Sequence, residues 1–128
     1  MVREIQSKQE FDALLAESGD KLVVIDFTAT WCGPCRAIAP EFERLSQKYS
    51  DSCVMVKVDV DKCSTVARAA GISAMPTFQF YKQGQKMDGF RGASVAKLEE
   101  FIQKYSAADA QPNPSPEDDG SMMGCVLL

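Results

Sequence analysis

The sequence predicts an α/β sandwich, a central mixed sheet of five strands flanked by four helices. Three observations point to it. Apolar β-branched runs alternate with stretches of helical periodicity in the order βαβαβαββα. The run KLVVIDFTAT at 21–30 is apolar nearly throughout, the pattern of a central strand buried on both faces. The last two strands flank Gly84 as a hairpin would, so antiparallel pairing is added to strands that helices connect in parallel.

A short strand around Val2 to Ile5 opens the chain. Ser7 and Glu10 have the spacing of a capping box, and Phe11, Leu14 and Leu15 recur at helical intervals, giving a helix to about Glu17 that Gly19-Asp20 ends. Cys32 to about Tyr49 reads as a second helix with Ile38, Phe42 and Leu45 on one stripe. Within it, Pro40 removes the bond to the Arg36 carbonyl and is expected to bend the axis. CVMVKVDV is the next strand, and Ser64 to Ala70 a short helix stopped by Gly71. TFQFYK and KMDGFRG form the hairpin. Ser94 then caps a helix through Tyr105, with Val95, Leu98, Phe101 and Ile102 turned inward. From Ser106 the periodicity stops. SAADAQPNPSPEDDGSMMG carries three prolines in five residues and an acidic run, so the domain is placed at 1–106 and a disordered acidic, proline-rich tail at 107–128.

A chain of 128 residues with 45% hydrophobic and 25% charged residues has the composition of one globular domain. No apolar run approaches the roughly 18 residues of a membrane span. All 14 Lys and Arg lie before Ala107 with 14 of the 18 acidic residues, so the body is neutral and the net charge of -4 sits in the tail. Without a basic cluster, nucleic acid is not an expected partner. The polar opening, Met1 to Ser7, lacks the apolar core of a secretory signal, which points to the reducing cytosol. Five cysteines there are individual thiols rather than a disulfide framework, and with no histidine the proton and nucleophile chemistry falls to Cys, Asp and Lys.

The stretch TATWCGPCR joins the central strand to the second helix, at the carboxyl end of a strand, where sites of open α/β sheets gather. Cysteines at i and i+3 on a helix approach disulfide distance after a small adjustment of the first turn. Cys32, at the helix start, has free amides and the helix dipole to favour its thiolate. Cys35, a turn further in, has fewer donors and less solvent. Cys32 is therefore the expected nucleophile and Cys35 the resolving thiol. Pro34 is tolerated because first-turn amides have no partner within the helix.

WCGPC at Trp31 to Cys35, together with VVIDF, VDVD, MPTF and FRGA in that order, resembles the thioredoxin family, most nearly its animal cytosolic members, from Met1 to about Tyr105. Ala70 and Ala74 stand where some animal members carry extra cysteines, so the second regulatory disulfide of those members is not expected. The resemblance implies the thioredoxin fold and a protein-disulfide reductase and electron carrier. It acts as a monomer with no bound cofactor, drawing electrons from NADPH through a thioredoxin reductase and passing them to disulfide-containing client proteins. It also implies that Asp26 is a buried carboxylate taking the Cys35 proton through a water, with Lys57 as its ion partner. Pro76 matches the family's cis-proline, and the backbone of Met75 would pair with an extended client segment. Trp31, Gly33, Pro34, Gly92 and Ala93 would line the substrate groove.

Other readings stand beside these. CxxC is also half a zinc knuckle, and Cys35 to Cys53 has a suitable gap, but nine residues separate Cys53 from Cys63 where about two are wanted, so no metal is expected. A structural disulfide, a solvated Lys57 and a redox-indifferent binding module using the groove around Trp31 and Pro76 are the further alternatives. Cys53 reads as a small hydrophobe at a strand edge, and Cys63, after Asp61-Lys62, as an exposed regulatory thiol. The terminal Cys125-Val126-Leu127-Leu128 fits a C-a-a-X box with Leu last, the pattern for geranylgeranylation of Cys125 and for partial residence on the cytoplasmic face of membranes.

Overall fold

A computed structural model describes residues 2–112 and, as backbone, Cys125 and Val126. Its elements run β1 (Arg3–Glu4), α1 (Lys8–Glu17), β2 (Leu22–Thr28), α2 (Gly33–Lys48), β3 (Cys53–Asp59), α3 (Ser64–Ala69), β4 (Ala74–Met75), β5 (Thr77–Lys82), β6 (Gln85–Arg91), α4 (Val95–Tyr105) and β7 (Cys125–Val126). Five strands form one sheet in the order β1-β3-β2-β5-β6, with β1, β3 and β2 parallel and β5 antiparallel to both its neighbours, β2 and β6. The mixed five-stranded sheet and its four helices are those expected. β4 and β7 are additional, a separate two-stranded ladder.

Central β2 is buried from Leu22 to Phe27 because helices cover both faces. Alternation along the strand divides the core: Val23, Ile25 and Phe27 join Phe11, Leu14 and Val66 on one face. Leu22 and Val24 join Phe42, Leu45, Phe78, Phe80, Phe90, Leu98 and Ile102 on the other. Asp26 has the parity of Leu22 and Val24, a carboxylate in an apolar row. Ser7 caps α1 by accepting from the Glu10 amide at 3.1 Å, while the Glu10 carboxylate accepts from the Gln6 amide at 2.7 Å. The hairpin turns on Gln83 and Gly84, at φ 54° and 78°, the left-handed pair that a tight two-residue loop requires.

The end of α4 is fixed by a buried polar pair. Tyr105 is 0% exposed, and its hydroxyl donates to Asp88 Oδ2 at 2.6 Å, while Asp88 Oδ1 accepts from the Gly89 amide at 2.7 Å. Burial, then the Asp88 carboxylate, push the Tyr105 phenol well above its ordinary range. Tyr105→Phe removes a donor from a buried carboxylate and is expected to cost about 1.5–3 kcal/mol, read as a lower urea midpoint at unchanged slope.

Three expectations change. Cys63 is buried, 5% exposed, because its amide donates to the Asp59 carbonyl at 2.8 Å and turns the side chain into the core with Val60 and Val66; it is not an exposed thiol. Cys53 is the small buried hydrophobe expected, but it begins β3, which lies inside the sheet between β1 and β2 rather than at an edge. The tail's first residues are held against the body: Lys82 Nζ donates to the Ala107 carbonyl at 2.6 Å, and Ala110 rests on the apolar cluster. The disorder expected beyond falls, over 113–124, outside the described residues.

Candidate active site

The site forms where β2 ends and α2 begins. Cys32, with extended φ and ψ of -88° and 115°, is the N-cap of α2, and its sulfur accepts the Cys35 amide at 3.3 Å. A side chain at this position meets amides that have no partner within the helix, the environment in which an anionic sulfur is favoured. Pro34 occupies the first turn, so its missing amide costs nothing there. Gly33 has open space around the position of a Cβ, and no left-handed angle calls for glycine.

Both cysteines are in the reduced thiol form and buried, Cys32 at 0% and Cys35 at 1% exposed. The expectation that Cys32 is the more accessible is corrected here: it is buried as fully as Cys35, and its thiol donates to the Met75 carbonyl at 3.8 Å. Burial raises the Cys35 pKa, opposed by hydrogen bonds with Cys32, Thr28 and the Ala29 backbone, and helped by the charge of Asp26.

The Met75–Pro76 peptide bond is cis. The turn is fixed from both sides, with Thr77 Oγ1 donating to the Ala74 carbonyl at 2.6 Å and the Gly92 amide donating to the Pro76 carbonyl at 2.9 Å. Gly92 stands at φ 109°, which a side chain rarely adopts, and Ala93 packs partly buried behind it. Trp31, the residue before Cys32, is a large hydrophobe left 49% accessible.

Behind the cysteines a cleft of about 250 Å³ is lined by Asp26, Thr28, Ala29, Cys35, Lys57 and Asp59, among others. Asp26 is 3% exposed, and its Oδ1 has no hydrogen-bond partner among the described residues. Burial raises its pKa to about 7 against the opposing pull of Lys57, its register partner on β3. Lys57 is half-buried in the cleft wall rather than on a solvated face.

Sequence reasoning missed Asp61 and the β4–β7 ladder. Trp31 Nε1 donates to Asp61 Oδ2 at 2.8 Å, across 30 residues of chain that no periodicity links. A local signal did exist, since Asp59 Oδ1 accepts the Asp61 and Lys62 amides, a turn that the spacing in VDVDK permits. Cys53 begins β3 opposite Leu22, at the far end of the sheet from Cys32, so a four-cysteine metal site cannot close. Among the described residues no cluster of three or more potential metal ligands occurs. Cys63 is buried in the same apolar cluster as Cys32, Cys35 and Met75, and for Cys125 only the backbone is described, paired with Met75.

Comparison with known proteins gives a family model described as thioredoxin that matches residues 2–104. Mouse thioredoxin is 54% identical over 106 residues, covering 83% of this chain and 100% of that protein. Human thioredoxin is 53% identical over 102 residues, covering 80% and 96%. Among solved structures, Schistosoma mansoni thioredoxin in its reduced form superimposes with a TM-score of 0.77 at 49% identity, covering 81% of this chain and 97% of that one. The Malassezia sympodialis thioredoxin gives 0.77 at 48% identity, covering 83% and 94%.

Proposed function

Because this chain belongs to the thioredoxin family, whose members are protein-disulfide oxidoreductases, we propose that it reduces disulfides in client proteins through Cys32 and Cys35. The observation that carries this reading is the Cys32 sulfur at the N-cap of α2, hydrogen-bonded to the Cys35 amide and facing the Met75 carbonyl beside the cis peptide. The Cys32 thiolate attacks one sulfur of the client disulfide, forming a mixed disulfide and releasing the first client thiolate. The Cys35 thiolate then attacks the Cys32 sulfur, giving the Cys32–Cys35 disulfide and the second client thiolate. Two electrons have passed to the client, and two more from NADPH, delivered through a thioredoxin reductase, reduce the Cys32–Cys35 disulfide back to the dithiol.

Asp26 serves the second step. A carboxyl titrating at about 7 can accept a proton near neutrality, and the shared cleft with Cys35 and Lys57 has room for the bridging water. Lys57 limits how far burial raises that carboxyl. Met75 and Pro76 offer backbone to an extended client, and Trp31, Gly33, Pro34, Gly92 and Ala93 border the place it would lie. Asp61 positions the indole of Trp31, and Asp61→Ala removes one hydrogen bond worth about 1 kcal/mol, so the KM for insulin should rise about five-fold with little change in stability. The parent reading is tested by insulin-disulfide reduction with NADPH and a thioredoxin reductase. Sustained turnover is expected, and none would overturn it.

Among the described residues no helix is long and apolar enough to cross a membrane. The terminal CVLL supports a different attachment, geranylgeranylation of Cys125 with loss of Val126 to Leu128. The tether beyond the docked Ala107 and Ala110, 14 residues from Gln111 to Gly124, would have a root-mean-square reach of about 21 Å. Asp109, Glu117, Asp118 and Asp119 oppose anionic headgroups, so a single lipid holds the protein only partly at the cytoplasmic face and leaves the rest in the cytoplasm. Intact mass of the protein from its native eukaryotic cell decides this, and an unmodified chain ending at Leu128 excludes the anchor.

A further inference from the structure

The ladder between β4 and β7 places the Cys125–Val126 backbone against the site. Met75 is registered with Cys125 and Ala74 with Val126, antiparallel, and β4 pairs with no strand of the five-stranded sheet. Met75 is also the residue whose carbonyl accepts the Cys32 thiol. We propose that Cys125–Val126 is a tethered internal ligand of the Ala74–Met75 edge, occupying the backbone position that a client strand needs, so that the unprocessed chain competes with its own clients. The inference rests on reading that edge as client-binding.

Three observations support it. An open two-residue edge presents unpaired backbone groups that a second strand satisfies, and the strand that does so belongs to the same chain. Cys32 has no exposed surface, so a client's disulfide can reach it only after something beside it moves, and the strand on Met75 is beside it. The intervening segment is covalent, so docking is unimolecular and the tail competes at an effective concentration on the order of millimolar even though two residue pairs bind weakly. Occupation lowers the fraction of molecules able to bind a client, raising the apparent KM by the same factor.

The same segment is the C-a-a-X box. Cleavage after Cys125 would remove Val126, the partner of Ala74, and a lipid drawn into a bilayer would pull Cys125 from Met75. Processing would therefore convert a self-occupied reductase into an open one.

The test uses the full chain made without lipid, compared with Cys125→Pro, Val126→Pro together, which removes both tail amides whichever pair carries the interstrand bonds. Cys125→Ala, Val126→Ala keeps those amides and serves as the control. Hydrogen exchange of the Ala74 and Met75 backbone and iodoacetamide alkylation of Cys32, located by peptide mapping, are expected to quicken in the proline variant alone. Its KM for insulin should fall by about two-fold or more. Equal exchange and alkylation in all three chains overturns the proposal. Absence of insulin reduction in all three would instead strike the reductase reading, while the exchange data would still decide whether the tail is docked.

Discussion

Cys32→Ser is expected to lower insulin-disulfide reduction by at least about 10³-fold, and Cys35→Ser to stop the reaction one step later, as a stable mixed disulfide with the client. The two substitutions are nearly isosteric, and both positions are buried, so the difference between them reports chemistry rather than packing. A serine oxygen at the N-cap keeps the hydrogen bond from the Cys35 amide but does not ionise near neutral pH, so α2 gains no anion to present to the client. With Cys32 intact and Cys35 replaced, the first exchange proceeds and nothing within reach displaces the client. Non-reducing mass spectrometry of each variant mixed with a disulfide-containing protein reads both outcomes. Parental turnover by Cys32→Ser would falsify the assignment of the nucleophile.

Asp26→Asn is expected to stabilise the protein by about 4 kcal/mol at pH 8 and to leave stability nearly unchanged at pH 4. The sign follows from the direction of the shift. Burial raises the Asp26 pKa from 3.8 to about 7, so between those values the folded chain holds a proton that the unfolded chain has released. Stability contributed by the neutral carboxyl is complete below the unfolded pKa and falls as pH rises toward 7, by about 1.4 kcal/mol per unit. Above pH 7 the loss is complete and constant. Asparagine does not titrate and escapes it, and urea unfolding of both proteins across pH 4 to 8 measures the difference. A pH-independent gap would mean that Asp26 ionises as an exposed carboxylate does. The persistence of so costly a group where Leu22 and Val24 set the pattern is consistent with its use as the proton acceptor for Cys35. Asp26→Asn should accordingly slow release of the mixed disulfide near neutral pH.

Much of this molecule could be read along the chain because the relevant physics is local. Periodicity placed the inward stripes of α2 and α4, Ser7 and Ser94 marked the starts of α1 and α4, and the uninterrupted apolar run of β2 implied cover on both faces. The position of Cys32 at a helix start likewise needed only the strand before it and the glycine and proline after it. Other features escaped because they join distant segments. The exposure expected of Cys63 came from its charged neighbours, whereas its backbone bond to Asp59 turns it inward. Trp31 held by Asp61, and β4 paired with β7, each depend on loops meeting after the sheet has formed.

The sequence by itself determined the order of elements, the two-faced core and the pairing of a helix-start cysteine with a second one turn on, since each follows from residues within a few turns of one another. Only the tertiary structure decided that Asp26 shares a cleft with Cys35, that the Cys32 thiol meets the Met75 carbonyl, and that the Cys125–Val126 strand pairs with Ala74–Met75. Those contacts depend on which strand edges and helix faces the folded sheet brings within a few ångströms, and burial among them, not residue identity, sets the charge that Asp26 carries near neutral pH.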